Sequence, residues 1–282
     1  MRVLLTGASG LLGSYLVKTA PADAELFTER FDILDANASR KAFLDFQPDT
    51  IIHCAGEGRV DFAESNPAQV HEINVRGTRR LSLIADDYGC RFVYISSNAV
   101  FNGGDVGHYN EHSQRNPINQ YGRTKLAAEN VVSQYPYSYT IIRPILLYGW
   151  SSVGKRGNFV TRALEDLRDR VKVKVAKDII TQPTYAWDCA KAIWTALQGK
   201  APQAEIINVA PRKKMSLYQF GVEIAKAFGY DPDLILPVLA SEFPGLAPRP
   251  RDTTFDTAYM ESKGIRLRNP AEGLLAMKAE KE

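Results

Sequence analysis

Cysteine is scarce in this chain. Cys54, Cys90 and Cys189 are the only three in 282 residues, odd in number and far apart. That excludes a disulfide framework and a cysteine-based zinc site, and it points to a reduced, cytoplasmic protein. Histidine is almost as rare. His53, His71, His108 and His112 do not fall at metal-ligand spacings, and no carboxylates cluster, so no metal site is expected. Long apolar runs are missing too. None approaches the ~18–20 residues of a membrane span, and the apolar opening at residues 1–6 stops at Gly7, too short for a signal-peptide core. Neither sign of charge dominates: 35 Lys and Arg face 32 Asp and Glu, for a net charge of +3. Without a long basic block, neither nucleic acid nor a membrane surface is an expected partner, and Arg212-Lys213-Lys214 reads as a solvated loop. Internal repeats and low-complexity tracts are also absent. A chain with 45% hydrophobic and 24% charged residues is an ordinary globular protein, neither disordered nor fibrous. At about 150 residues per domain its length fits two domains or one large α/β unit.

The N-terminal half alternates strand and helix patterns. Arg2-Val-Leu-Leu-Thr6 is β-prone and closed by glycine, and Leu11, Leu12, Tyr15, Leu16 and Val17 then follow helical spacing, predicting a helix over 11–20. The pattern repeats as strands at 25–28, 50–54, 91–96 and 139–143, separated by helices at 38–46, 68–88 and 119–134. Gln47-Pro48 and Gly89 end the first two of those helices. Strands without polar alternation, joined by helices, predict an α/β fold whose parallel sheet is covered on both faces and doubly wound. Beyond residue 150 the rhythm loosens to helices at 158–170, 186–198 and 217–228 and a strand at 205–209. Five prolines between Tyr230 and Pro250 predict a loop over a substrate site.

Thr6-Gly7-Ala8-Ser9-Gly10-Leu11-Leu12-Gly13 places glycines three apart between the first strand and the first helix. The spacing differs from G-x-G-x-x-G, but the physics is shared: a tight turn, room for a pyrophosphate at the backbone, and close helix–strand packing. Phosphates then meet amide donors and the helix dipole. The competing reading is a tight connection without ligand. Gly7, Ser9, Gly10, Leu11 and Gly13 are the candidate phosphate contacts, and Cys54, Ala55 and Gly56, at the end of the third strand and just beyond it, join them as cofactor contacts. Glu29 and Arg30 end the second strand. An acid there binds the ribose 2′-hydroxyl of NAD and an arginine the 2′-phosphate of NADP, so NADP(H) and NAD(H) both stay open. Asp32 and Ile33 begin a turn suited to the adenine edge. On this reading residues 1–150 are a dinucleotide-binding domain whose sheet is completed within 171–210. Residues 151–282 are mainly a smaller substrate-binding cap, not cleanly separate.

Tyr121 and Lys125 stand four apart at the start of a predicted helix, on one face. Tyrosine's free pKa near 10 is too high for ready proton exchange at neutral pH, and a nearby ammonium lowers it. Tyr121 can then protonate an oxygen as hydride reaches its carbon, with Lys125 also holding the nicotinamide ribose and Ser97, at the end of the fourth strand, bonding the same carbonyl.

These residues carry a resemblance. The chain resembles the extended short-chain dehydrogenase/reductases and, within them, the dTDP-4-dehydrorhamnose reductase family. The marks are Thr-Gly-Ala-Ser-Gly-Leu-Leu-Gly at 6–13, Val-Asp-Phe-Ala-Glu-Ser-Asn-Pro at 60–67 and Ile-Ser-Ser-Asn-Ala-Val-Phe-Asn-Gly at 95–103. Asn-Pro-Ile-Asn-Gln-Tyr-Gly-Arg-Thr-Lys-Leu at 116–126, Arg-Pro-Ile-Leu-Leu-Tyr-Gly at 143–149 and Arg-Pro-Arg-Asp-Thr at 249–253 continue it. The resemblance implies a Rossmann-type fold, a nicotinamide cofactor, a homodimer, and a catalytic triad at Ser97, Tyr121 and Lys125. The implied reaction reduces the 4-keto group of a nucleotide-linked 6-deoxyhexose. It also brings Asn98, Ala99, Arg249 and Arg251 to the nucleotide-sugar, the arginines as bidentate partners of a diphosphate. The family usually has Asp-Tyr where this chain has Asn98-Ala99, and often Trp within the stretch that is Ile-Leu-Leu at 145–147. Those changes alter the usual sugar contacts and admit a different hexose or reaction.

Two other functions fit the same motifs: a nucleotide-sugar epimerase or dehydratase with tightly held NAD, and a non-catalytic NADP-binding regulatory subunit acting through partner contact. His53 reads as a hydrogen-bonded core histidine, Asp61 and Glu64 as residues capping or solvating a helix start, and Trp150, Trp187 and Trp194 as core or interface residues.

Overall fold

Along β1 (Arg2–Thr6) every side chain from Val3 to Thr6 is buried, which explains why the strand shows no polar alternation. Val3 and Leu5 enter one apolar core and Leu4 the other, because successive side chains leave opposite faces. The computed structural model describes residues 1–104, 108–136, 138–151, 157–198, 203–243, 245 and 247–281. The chain continues as α1 (Leu11–Lys18), β2 (Glu25–Phe27), α2 (Ala36–Phe46), β3 (Thr50–His53), α3 (Val60–Ser65), α4 (Pro67–His71), α5 (Thr78–Asp87), β4 (Arg91–Ile95), α6 (Gln120–Val132) and β5 (Ser138–Pro144). Then follow β6 (Leu147–Tyr148), α7 (Phe159–Arg168), β7 (Val173–Ala176), β8 (Ile180–Thr181), β9 (Thr184–Tyr185), α8 (Ala186–Leu197) and β10 (Ala204–Val209). The last elements are β11 (Met215–Ser216), α9 (Leu217–Phe228), β12 (Ile235–Val238), α10 (Ala258–Ser262) and α11 (Pro270–Ala279).

The main sheet has six parallel strands in the order β10-β5-β4-β3-β1-β2. Its faces are covered as the sequence predicts: Leu16, Ile193 and Trp194 meet Val3, Ile52, Val93 and Ile142 on one side. On the other, Phe43, Leu81, Ile84 and Ala128 meet Leu4, Ile51, Phe92 and Ile141. This is a Rossmann-type α/β fold. From β1 the chain turns to β2 on one side and reaches β3 on the other, so the order reverses there and a crevice opens at the carboxyl ends of β1 and β3.

Three local features depart from the sequence reading. The helix expected over 68–88 is interrupted: between α4 and α5, Glu72–Gly77 forms a π-helical stretch, a form that recurs at functional sites. Gly77 there lies against Ile33, whose Cδ1 would be 2.6 Å from an added Cβ. Helix α3 was not expected. The proline-rich segment also contains β12, paired in parallel with β7, where the sequence suggested only loop. Pro237 fits that strand because the two-stranded sheet leaves it on an edge. No helix among the described residues is long and apolar enough to cross a membrane.

The C-terminal segments fold back over the sheet's carboxyl edge. Asp252 bridges to Ile180 and Phe255 to Tyr109, bringing residues 249–253 beside the end of β4. Gly103 makes this approach possible: its φ is +70°, and a Cβ there would lie 2.5 Å from Pro250 Cβ.

Candidate active site

The glycine turn is built around backbone contacts that no side chain would allow. Gly7 has φ +72°, and a Cβ on it would lie 2.6 Å from the Ala55 nitrogen. Gly10 N–H donates to the Gly7 carbonyl at 2.9 Å and closes the turn. On Gly13 a Cβ would sit 2.1 Å from the same carbonyl, so this glycine lets α1 pack onto the turn. Gly10 caps α1 without a side-chain hydrogen bond, and the first turn carries no acid. Ser9 and Gly10 are exposed and Leu11 is half-buried. A helix start with amide donors and an unneutralised dipole fits a pyrophosphate. Gly13→Ala is expected to push α1 from the turn and weaken NADPH binding at least tenfold, measured by nicotinamide fluorescence titration; overpacking of this kind costs about 1–3 kcal/mol.

At the end of β2, Glu29, Arg30 and Asp32 are all exposed, which suits a ligand's ribose but selects neither cofactor. Asp32 accepts the Leu34 N–H at 2.8 Å and shapes the turn. Ile33 is different: its side chain is buried in the core against Gly77, and its carbonyl is held by Arg80 at 3.1 Å.

At the end of β3, His53 is a core residue, as its sequence context suggested. Thr78 Oγ1 donates to the Asn74 carbonyl, so the His53 Nε2–H, 3.1 Å away, donates to Thr78. The other ring nitrogen, Nδ1, then accepts from Thr6 Oγ1 at 2.7 Å. Burial, and secondarily the Lys125 charge, push its pKa down to about 3. Its folded value lies below the ordinary 6.5, so the unfolded chain binds the extra proton and stability is lost as pH falls from about 6.5 toward 3. Urea denaturation should show this acid limb, and His53→Gln should flatten it. Cys54 follows, half-buried, with burial pushing its thiol up to about 12.

A residue the sequence reading missed organises the next loop. Asn74, buried in the π-helical stretch, accepts from Glu57 N–H at 2.8 Å and donates to the Glu57 carbonyl at 3.0 Å and to Thr124 Oγ1 at 3.1 Å. Thr124 Oγ1 in turn donates to the Tyr121 carbonyl at 2.8 Å. One amide thus ties the loop after β3 to the first turn of α6. Its only sequence signal was a polar residue on the helix's buried face, four after Val70.

Helix α6 starts at Asn119, which caps it by accepting the Gly122 N–H at 2.8 Å. Gly122 is required because a Cβ there would lie 2.1 Å from the Ala99 carbonyl. Lys125 is buried, donates to the Ile95 carbonyl at 2.8 Å, and lies 5.0 Å from the Tyr94 ring centre and 5.9 Å from that of Tyr121. Ser97 is buried at the end of β4, where its hydroxyl accepts the Ala99 N–H and lies 3.2 Å from Asn98 Oδ1. The electrostatics differ from the simple expectation. Burial raises the Tyr121 hydroxyl's pKa, the Ser97 hydrogen bond opposes this, and Glu57 adds to it, so loss of water decides the sign. Burial likewise pushes Lys125 down to about 8.

One turn further along α6, Glu129 is fully buried and takes four hydrogen bonds, from Ser96 (2.6 Å), Arg143 (2.7 and 2.7 Å) and Arg115 (3.0 Å). They anchor α6 to β4 and β5 directly beneath the Tyr–Lys face.

The structure brings Asn98 onto the C-terminal strap, where Nδ2 donates to Thr253 Oγ1 at 2.5 Å. Arg249 pairs with Asp61 at 2.8 Å and bonds the Ala247 carbonyl, clasping the strap to α3. Arg251 is exposed beside it. Asp61 and Glu64 likewise dock neighbours. Asp61 also accepts from the Ala247 N–H, and Glu64 accepts the Gln120 N–H at 3.0 Å, at the start of α6.

The sequence matches the RmlD substrate binding domain family over residues 1–281. It is 30% identical over 285 residues to methionine adenosyltransferase 2 subunit beta of Bos taurus, covering 95% of this chain and 84% of that protein. A dTDP-4-dehydrorhamnose reductase of Clostridium acetobutylicum is 28% identical and superposes with a TM-score of 0.91 over 100% of this chain and 99% of its own. The dTDP-4-dehydrorhamnose reductase of Bacillus anthracis in complex with NADP is 30% identical, with a TM-score of 0.88 over 99% of each chain. Matched along nearly its whole length, this chain belongs to the RmlD substrate binding domain family.

Proposed function

We propose that this protein is an NAD(P)H-dependent reductase of a nucleotide-linked 4-keto-6-deoxy sugar. The observation that carries the reading is the meeting of Ser97, Tyr121 and a buried Lys125 at the carboxyl end of the sheet, next to a glycine turn suited to a pyrophosphate. The two solved dTDP-4-dehydrorhamnose reductases, one of them holding NADP, support both substrate class and cofactor.

A nicotinamide cofactor held at this site would supply hydride to the ketone carbon. The protein's part is to handle the oxygen. Ser97 Oγ donates a hydrogen bond to the ketone oxygen and fixes its direction. Tyr121 Oη gives its proton to the same oxygen as negative charge develops. Its raised pKa keeps the hydroxyl protonated through the neutral range, the form a donor needs. The Lys125 ammonium, fixed by the Ile95 carbonyl, stabilises the phenolate left behind and holds the nicotinamide ribose. Gly7, Ser9, Gly10, Leu11 and Gly13 would hold the diphosphate, and Cys54, Ala55 and Gly56 would add further cofactor contacts. Asn98, Ala99, Arg249 and Arg251 face the sugar nucleotide. The protein works in the reduced cytoplasm, and the homodimer that the family resemblance implies is tested by its mass in solution.

NADPH deuterated at the transferred position tests the reaction. A reductase leaves deuterium on the carbinol carbon of the sugar and one oxidised cofactor per product. Product formed with no net cofactor consumption would contradict it and indicate an epimerase or dehydratase. The similarity to an adenosyltransferase subunit favours one second reading, a partner-binding subunit. Its signature is a stable hetero-complex without hydride transfer.

A further inference from the structure

The C-terminal strap crosses both segments that carry the proposed catalytic hydroxyls, and a side-chain amide meets it at each crossing. At one crossing stands Asn119, 2% exposed, on the chain just before Gln120 and Tyr121. Its Oδ1 accepts the Gly122 N–H at 2.8 Å, which turns Nδ2 outward to donate to the Pro248 carbonyl at 2.9 Å. Its own carbonyl accepts the Arg123 N–H at 3.0 Å, so the residue is built into the first turn of α6. At the other crossing Asn98 follows Ser97. Its Oδ1 accepts from the Ser97 hydroxyl at 3.2 Å, and its Nδ2 donates to Thr253, itself buried. The two crossings abut, since a Cβ on Gly122 would lie 2.1 Å from the Ala99 carbonyl.

Between Pro248 and Thr253 the strap has little freedom. Pro250 rests against Gly103, the Arg251 carbonyl accepts the Ile180 N–H at 2.7 Å, and Arg249 pairs with Asp61. A displacement of this stretch is therefore felt at Ser97 and at the first turn of α6 together. We propose that Asn98 and Asn119 are positioning residues, which tie the alignment of Ser97 and Tyr121 to the seating of the strap that faces the sugar nucleotide. Neither amide needs to touch the reacting ketone for this. Its loss appears in turnover, whereas a strap that only bound substrate would appear in KM. The proposal rests on the reductase reading above.

The test is steady-state kinetics of Asn119→Ser, Thr253→Val and the double variant on nucleotide-linked 4-keto-6-deoxy sugars, with NADPH affinity measured on the same preparations. Serine keeps an oxygen for the helix cap and adds no charge, but lacks the amide that reaches Pro248. Valine keeps the branching of Thr253 and removes the oxygen that Asn98 meets. Each single variant should lower kcat by about tenfold, the worth of one aligning hydrogen bond, with NADPH affinity within about threefold of the wild type. Because both ties hold one strap, the double variant should also lose about tenfold, not the hundredfold of independent effects. If one variant fails to fold, the other carries the kcat test alone. A merely structural role predicts a lower melting temperature with unchanged kcat per NADPH-binding site. A strap that only binds substrate predicts a raised KM at unchanged kcat. Either result overturns the proposal, as does a hundredfold loss in the double variant. An active wild type with full kcat in both single variants removes the positioning role alone. A wild type that reduces no nucleotide-linked keto-sugar removes the reductase reading, and this proposal with it.

Discussion

Replacing Tyr121 by phenylalanine is expected to reduce keto-sugar turnover by about 10²–10⁴-fold, the usual range for losing a general acid. The substitution deletes one oxygen and leaves the ring, whose packing at the start of α6 does not depend on it. Cofactor affinity should change by less than threefold, since the diphosphate site at Gly7–Gly13 and the buried Lys125 are untouched. Stopped-flow and steady-state measurements on the same preparation check both parts. Normal turnover in the variant would show that another group or a water delivers the proton.

Arg143→Met is expected to destabilise the protein by about 3–5 kcal/mol, the range for stripping one partner from a buried ion pair. Both Arg143 and Glu129 are fully buried, and the two 2.7 Å bonds between them form a fork that no solvent molecule replaces. What remains on Glu129 is Ser96 and the partly exposed Arg115. Arg143 together with Ser96 and Arg115 outweighs burial and holds the Glu129 carboxyl below its ordinary range. Because the folded value is depressed, its contribution is present above the unfolded value near 4.3 and disappears as pH falls through the lower folded value. Urea denaturation measures the loss, and a cost under about 1 kcal/mol would show that the cluster is dispensable. The consequence for activity is indirect: Glu129 lies one turn beyond Lys125 and binds Ser96, next to Ser97, so the variant should loosen the triad as well.

What could be read from sequence was whatever is written in local spacing. Glycines three apart between a strand and a helix, Tyr121 and Lys125 four apart, and strands apolar on both faces each carry their geometry within a few residues. Pairings across long separations carry no such mark. Glu129 with Arg143 and Arg115, and Asp61 with Arg249, are set by how α6, β5, α3 and the strap meet, so the first three read as unremarkable charges and the pairing of the last two leaves no local mark. The π-helical stretch was hidden because Val70, Asn74, Thr78 and Leu81 keep an ordinary helical rhythm. Between β7 and β12, pairing spans some sixty residues and overrides the loop signal of Pro237. The sign of the Tyr121 shift was also beyond reach, since it depends on how much water the folded site excludes, not on the distance to one ammonium.

The most direct test of the central claim is to follow NADPH and NADH absorbance with a panel of nucleotide-linked 4-keto-6-deoxy sugars. A reductase gives steady, substrate-dependent loss of reduced cofactor, matched mole for mole by reduced sugar and lost in Tyr121→Phe. Tight cofactor binding with no oxidation on any sugar of the panel would contradict it.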